Sequence, residues 1–206
     1  MDLRGFPIIV SSPSGGGKTT VCKRVLAEDE SVERVVTATT RAPRKDEVDG
    51  VDYHFWPEAR FIQSVKAGLM AEWAKVHVNY YGIPKKSLDS IIRRGKNPLL
   101  VIDVQGAETV SKYYTDAVKI FLLPPSWDVL KSRLLARKDD TRDMAVRFET
   151  AKKELERIGD YYYVVVNDDL DAAVSQIKSI ITAERIKTAR QMPRLKRSVK
   201  GVYRFI

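Results

Sequence analysis

Ser11-Ser12-Pro13-Ser14-Gly15-Gly16-Gly17-Lys18-Thr19-Thr20 follows an apolar run at residues 6–10 and leads into helical patterning at 19–27. A strand, a glycine-rich turn ending in Lys-Thr and a helix together make an anion cradle suited to a polyphosphate. Glycines turn the backbone tightly and bring N–H groups close to an anion. The helix that begins there adds its unpaired N–H groups and the positive end of its dipole. Ser12, Pro13, Ser14, Gly15, Gly16, Gly17, Lys18, Thr19 and Thr20 are therefore the candidate phosphate contacts. Lys18 supplies a point charge for the β- and γ-phosphates, and Thr19 a hydroxyl for a phosphate-bound Mg²⁺. The pattern G-x-x-x-x-G-K-[ST] has glycine where this chain has Ser12. The alternative is a Gly/Ser turn before a surface helix; the strand before and the helix after favour the cradle.

The 206 residues suffice for one or two domains and a sizeable core. A chain 44% hydrophobic and 31% charged belongs with soluble globular proteins. No apolar run reaches the roughly 18 residues of a membrane span. Nor does a basic segment followed by a long apolar stretch open the chain, so secretion is not expected. The single cysteine, Cys22, cannot make an internal disulfide, which fits a reducing cytoplasm. It sits just after the loop, as a small packing residue. The net charge of +9 raises the question of nucleic acid. Six basic residues and no acidic ones lie between Arg190 and the C-terminus, so only about +3 remains for the body. That balance suits a protein handling phosphates, with no specific nucleic-acid partner.

Further along, residues 32–38 are β-branched and predict a second strand. A polar loop and the aromatic patch Tyr53-His54-Phe55-Trp56 follow. Helical spacing covers 57–69, short strands 70–76 and 78–81, and a helix 84–94 with Pro84 near its start and Gly95 at its end. Apolar strands are expected at 98–103, 117–123 and 163–166. Helices are expected at 106–114, 126–137, 144–158 and 168–190, with a charged link at 138–143. Strands alternating with helices around a phosphate loop predict an α/β fold with a parallel sheet flanked by helices. Residues 38–85 break the alternation and read as an inserted lobe.

Five more clusters carry chemistry. Thr37-Ala38-Thr39-Thr40-Arg41-Ala42-Pro43-Arg44 offers two arginine forks for one phosphate, stiffened by Pro43, with Tyr53 following. A solvated basic turn is the alternative. Glu72 is an acid inside an apolar strand, facing either solvent or a ligand rich in donors; Asn79-Tyr80-Tyr81-Gly82 lies next. Asp103 ends an apolar strand, where α/β sheets bind ligands. Arg133 and Arg137, four apart, share a helix face, and Arg147 follows on the next helix. The last cluster is Val166-Asn167-Asp168-Asp169. Each of these last three is weak alone. His54 and His77 read as packing or surface residues.

Taken in order, Thr-Thr-Arg-x-Pro-Arg, Asn-Tyr-Tyr-Gly, Asp-x-Gln-Gly and Val-x-Asn-Asp resemble guanylate kinase, a P-loop nucleoside-monophosphate kinase, over residues 6–191. The resemblance implies transfer of the γ-phosphoryl group of ATP to GMP or dGMP, with Mg²⁺ accompanying ATP, as part of purine nucleotide metabolism. It implies a core of residues 1–37 and 86–206, a lid at about 134–150 and a GMP-binding lobe at 38–85. Carried over residue by residue, Ser12 to Thr20 hold the ATP phosphates and Asn167 approaches adenine. Arg41, Ala42, Pro43, Arg44, Tyr53 and Tyr81 hold the GMP phosphate. Thr37, Glu72, Gly82 and Ile83 surround guanine, and Asp103 contacts the GMP and metal region. Lys18, Arg133, Arg137 and Arg147 neutralise the transferring group, and Thr19 holds the metal.

The chemistry agrees with those assignments. Guanine presents N1–H and N2–H₂ as donors, and one carboxylate accepts both. Adenine presents a lone pair at N1 and would leave Glu72 unpaired, and such hydrogen-bonding sites discriminate by roughly 10⁴-fold. The acceptor phosphate is already ionised, so no general base is required. Ile83 stands where the family has Ser or Thr, and the segment between Arg137 and Arg147 is about one residue shorter than usual. The competing class is a non-catalytic guanylate-kinase-like binding module; the presence of Lys18, Thr19 and the arginines argues for the enzyme. A nucleic-acid binder using the basic tail is the third class. The substrates expected are the two nucleotides; a homo-oligomer stays open.

Overall fold

In the computed structural model, which describes residues 4–76, 78–136 and 144–198, the apolar run becomes β1 (Ile8–Ser11), buried along its whole length. Its neighbours explain the burial. β7 (Asn97–Val101) pairs with it on one side and β8 (Val118–Leu123) on the other, with Ile8 opposite Leu99 and Val118. β2 (Val32–Arg34) and β9 (Tyr163–Val166) complete a five-stranded sheet in the order β2-β7-β1-β8-β9, parallel at every pairing. A parallel sheet needs helices on both faces, which is why its strands read as continuous apolar runs.

One face is covered by α1 (Lys18–Glu28) and α7 (Leu170–Ile186). Val21, Cys22 and Val25 of α1 meet Ile8 and Val10 of β1 and Ile177 of α7 in a single core. Cys22 is buried there, and that burial pushes its thiol up to about 12 despite the opposing pull of Lys18. The other face carries α3 (Lys85–Arg93) and α4 (Val104–Tyr113), whose Leu88, Ile91, Ala107 and Val110 pack with Ile9 and Leu100.

A second sheet of four strands has the order β4-β3-β6-β5, from β3 (Ala38–Thr39), β4 (His54–Phe55), β5 (Met70–Val76) and β6 (Asn79–Pro84). β3 runs parallel to β4 and antiparallel to β6, and β5 and β6 form a hairpin. α2 (Glu58–Lys66) closes it, with Phe61 buried against Ala38 and Met70. Chain 35–37 enters this unit and Pro84 leads back out into α3. The strand expected over 32–38 is therefore two strands in two sheets, with Val35 buried in the core between them.

α5 (Trp127–Leu135) and α6 (Met144–Glu156) pack through Leu130, Leu134 and Ala151, and a 3-10 turn at Arg157–Asp160 follows α6. The helix expected over 168–190 ends instead at Ile186. Lys187 takes an extended backbone, and α8 (Thr188–Ser198) starts again beyond it. The break lets Arg190 turn back: it pairs with Glu184 and Asp116, donates to the Asp116 carbonyl at 2.7 Å and covers the Phe6 ring at 4.0 Å. Glu184 is 2% exposed, and Arg190, together with Lys187 and the Tyr163 hydroxyl, keeps its buried charge satisfied. No helix among the described residues is long and apolar enough to cross a membrane.

Candidate active site

The loop after β1 is held in shape by its own backbone. Gly16 N–H donates to the Pro13 carbonyl at 2.9 Å, and the Lys18 ammonium donates to the Ser12 carbonyl at 2.9 Å. Gly15 and Gly17 have φ of +87° and +92°, a region that a side chain disfavours. Gly17 is also the residue that caps α1. A Cβ on Gly16 would lie 2.6 Å from Ser12 Oγ, and one on Gly17 would lie 2.3 Å from Asn167 Nδ2. Ser12 itself is buried and donates to the Pro13 carbonyl. Serine is thus accommodated where the pattern has glycine because its hydroxyl folds onto the adjacent backbone. Among the described residues, the N–H groups of Gly15, Gly17 and Thr19 have no hydrogen-bond partner, which leaves them as donors for an anion.

Three elements close over this cradle. Asn167, at the end of β9 and 8% exposed, donates from Nδ2 to the Gly16 carbonyl at 2.9 Å. The structure thus gives it a loop-bracing contact in addition to the nucleobase role implied by resemblance. Arg133, on α5, carries a buried Nη1 with no hydrogen-bond partner, 3.9 Å from the Cβ position of Gly17. A buried guanidinium nitrogen without an acceptor is costly, and here it borders the anion cradle. α6 brings Arg147, 3% exposed with Nη1 on Met144 Sδ, and Glu154, whose Oε2 accepts the Ser14 N–H at 3.1 Å. Arg137 and the link at 138–143 lie outside the described residues, as do His77 and the basic residues at 200 and 204.

A second cluster of cationic and aromatic side chains, a candidate anion site, lies on the four-stranded sheet. Arg41 stands over the rings of Tyr53 and Phe55, with centroids 5.6 and 5.8 Å away, and the Tyr53 and Tyr81 rings meet edge to face at 6.2 Å. Glu47 joins the two arginines: it pairs with Arg41 at 2.8 Å and accepts the Arg44 N–H at 2.7 Å. Its hydrogen bond raises the Arg41 pKa, and the Arg41 guanidinium holds the Glu47 carboxyl below the usual range. No motif singles out Glu47; its one signal is an acid spaced six residues after Arg41 and three after Arg44. The Arg44 side chain and the residues Ala42 and Pro43 are exposed on the same turn.

Glu72 stands on β5, against the start of α4. The β5–β6 register slips between Met70 and Glu72, so that Glu72 pairs with Ile83 while Met70 pairs with Pro84. This bulge buries both Met70 and Ala71 and re-aims Glu72. Glu72 Cγ is 3.5 Å from the Cβ position of Gly106, and Asp103 Oδ1 is equally close at 3.5 Å. Burial, reinforced by the Asp103 charge, pushes the Glu72 carboxyl up to about 7. Asp103 caps α4 by accepting the Gly106 N–H at 2.8 Å, and its carbonyl accepts from Ser11 Oγ at 3.4 Å. A chain of contacts thus runs from the start of the phosphate loop to Glu72. Gly82 allows the tight crossing beside it, since a Cβ there would be 2.8 Å from the Glu72 carbonyl. Thr37 accepts the His54 N–H through its carbonyl at 2.8 Å. Ile83 is 2% exposed within the core, so what it offers a ligand is backbone.

The hydroxyl of Thr19 has no hydrogen-bond partner among the described residues and stands in the first turn of α1. No cluster of three or more His, Cys, Asp or Glu side chains able to hold a metal occurs among the described residues. One hydroxyl beside a phosphate cradle fits Mg²⁺, which keeps several waters and takes its other ligands from phosphates.

Comparison with known proteins agrees with this arrangement. The family model described as guanylate kinase matches residues 4–184. The guanylate kinase of Cereibacter sphaeroides is 44% identical over 205 residues, 98% of this chain and 97% of the relative. That of Clostridium perfringens is 44% identical over 190 residues, 92% of this chain and 88% of the relative. A crystal structure of guanylate kinase from Anaplasma phagocytophilum superposes with a TM-score of 0.71 at 34% identity, covering 92% of this chain and 91% of that one. With a glycine-rich cradle, an arginine–tyrosine cluster and a half-buried carboxylate in matching places, the chain belongs to the guanylate kinase family.

Proposed function

We propose that the chain transfers the γ-phosphoryl group of ATP to GMP, or dGMP, giving ADP and GDP for purine nucleotide metabolism. The observation that carries this reading is Glu72, a half-buried carboxylate beside Gly106 and Asp103 with its carboxyl raised to about 7. A ligand with two adjacent donors relieves that strain, and the guanine N1–H and N2–H₂ are such a pair. The unit at 38–85 serves as the GMP lobe, on a core formed by 1–37 and 86–206. Arg41, Arg44, Tyr53 and Tyr81 take the GMP phosphate, which displaces Glu47 from part of its hold on Arg41.

The phosphate loop takes the ATP phosphates on the free N–H groups of Gly15, Gly17 and Thr19, with Lys18 at the β- and γ-phosphates. Mg²⁺, held by the Thr19 hydroxyl, supplies charge neutralisation on the phosphate oxygens. An ionised oxygen of the GMP phosphate forms the new bond to the γ-phosphorus as the bond to the β,γ-bridging oxygen breaks, and ADP leaves. Arg133 donates to the transferring group through its buried nitrogen, and Arg147 adds charge from α6. Positioning and electrostatics supply the catalysis, without a proton acceptor. A cytoplasmic setting suits both the substrates and a free, buried cysteine.

The test is ADP release from ATP and Mg²⁺ with a panel of GMP, dGMP, IMP, AMP, CMP and UMP. GMP and dGMP are expected to turn over well, IMP poorly and the rest negligibly. Nucleotide binding by a folded protein without turnover would make it a binding module instead.

A further inference from the structure

We propose that Glu154 is a positioning residue for the ATP phosphates, fixing the leading edge of the phosphate loop against the helix that carries Arg147. The inference rests on the reading of the loop as the ATP site. Glu154 and Arg147 are seven residues apart on α6, with Ala151 between them, so one helix face presents all three. Ala151 packs on Leu130 and Leu134 of α5. The same two leucines lie 3.3 and 3.4 Å from the Cβ position of Gly15. The loop therefore rests beneath α5, α6 rests on α5, and the bond from Ser14 N–H to Glu154 Oε2 at 3.1 Å closes the ring.

The contact engages the edge of the cradle and leaves its centre open. Ser14 N–H is held, while the N–H groups of Gly15, Gly17 and Thr19 stay available for phosphate oxygens. With Asn167 on the Gly16 carbonyl from β9, the loop is braced from two sides before any nucleotide arrives. A preformed cradle binds more tightly because the ligand does not have to order it. Glu154 also puts Arg147 in register with the loop.

Three substitutions separate acceptance of the N–H bond from negative charge and from reach. Glu154→Gln keeps an acceptor of the same length, Glu154→Asp keeps the charge but withdraws it by one methylene, and Glu154→Ala removes both. Calorimetric titration with ADP in the absence of GMP, and steady-state kinetics with ATP and GMP, provide the readouts. Glu154→Ala and Glu154→Asp should each raise the ADP Kd and the ATP KM by about tenfold, as expected for a lost hydrogen bond to a charged acceptor. The GMP KM should not change, and Glu154→Gln should stay within about threefold of the wild type.

Wild-type affinity in Glu154→Asp overturns the proposal. So does a Gln variant as impaired as the Ala variant, or tighter ADP binding by both neutral variants, which would make Glu154 a competing anion. If Glu154→Ala fails to fold, the contrast between Gln and Asp still decides. Failure of the wild type to phosphorylate GMP would count against the proposed reaction, whereas the ADP titrations report on Glu154 independently.

Discussion

Glu72→Gln isolates the proposed guanine-reading step. In that proposal the wild-type carboxylate accepts two donors from one base edge. The amide has one acceptor oxygen, and its NH₂ meets a donor of the base. Hydrogen bonds to charged groups contribute about 1.5–3 kcal/mol, so losing one and setting two donors face to face should cost about 3 kcal/mol. That corresponds to roughly 100-fold in kcat/KM for GMP. Because burial and Asp103 hold the Glu72 carboxyl near 7, the wild type should itself depend on pH. Its ionised fraction rises from about one-tenth at pH 6 to about nine-tenths at pH 8, so kcat/KM should rise about tenfold over that range. The GMP phosphate ionises in the same region, and Glu72→Gln reports that contribution alone.

Stability should move the opposite way. The folded pKa of Glu72 lies above its unfolded value, so ionisation opposes folding. The penalty begins near pH 4.5, grows as pH rises and is complete above about 7. Glu72→Gln should therefore unfold at a higher temperature than wild type at pH 8, by up to about 3 kcal/mol of stability, and match it at pH 4 to 5. Steady-state kinetics and thermal unfolding across pH measure both effects. A loss of GMP activity below tenfold, or identical pH profiles for wild type and variant, refutes Glu72 as the guanine reader.

Arg133→Ala should lower kcat by about 10³-fold with a small change in either KM, since in the proposed reaction its buried guanidinium nitrogen acts on charge that develops during transfer; rapid-quench turnover measures it. Gly17→Ala should weaken ADP binding by more than about tenfold, because a Cβ at φ +92° strains the loop and pushes Asn167 off the Gly16 carbonyl, and calorimetry reads the loss. Arg190→Ala strips a partner from buried Glu184 and uncovers Phe6, and should destabilise the fold by about 2 kcal/mol, or a fall of roughly 4–8 °C in Tm, without altering kcat.

Legibility in the sequence followed how local each interaction is. The strand, loop and first helix are contiguous, and each residue type there answers to its own backbone: glycine at positive φ, Lys and Thr at a helix start. The family motifs likewise are short stretches. The break between β2 and β3 is hidden because β-branched residues, Val32 before it and Val35, Val36 and Thr37 within it, carry the strand signal straight through, and only the packing of Val35 in the core shows where the chain changes sheet. The bulge at Ala71 is equally silent, although it shifts the register so that Glu72 stands opposite Ile83. The end of α7 at Ile186 depends on what Arg190 finds across the fold in Asp116 and Phe6, a partner set distant in sequence. Glu154 reaches Ser14 across 140 residues, and no spacing rule reports that.

Cys22 has one practical consequence. Sealed on the buried face of α1 with its thiol near 12, it should be inert to maleimide dyes while the chain is folded. The native protein is then a thiol-silent background, and reporter cysteines can be added without first removing a core residue. Val51 on the loop before β4, 62% exposed, and Ile186 at the end of α7, 70% exposed, are suitable positions. A dye pair at those two sites would let single-molecule energy transfer follow the small sheet against the large one as each nucleotide binds.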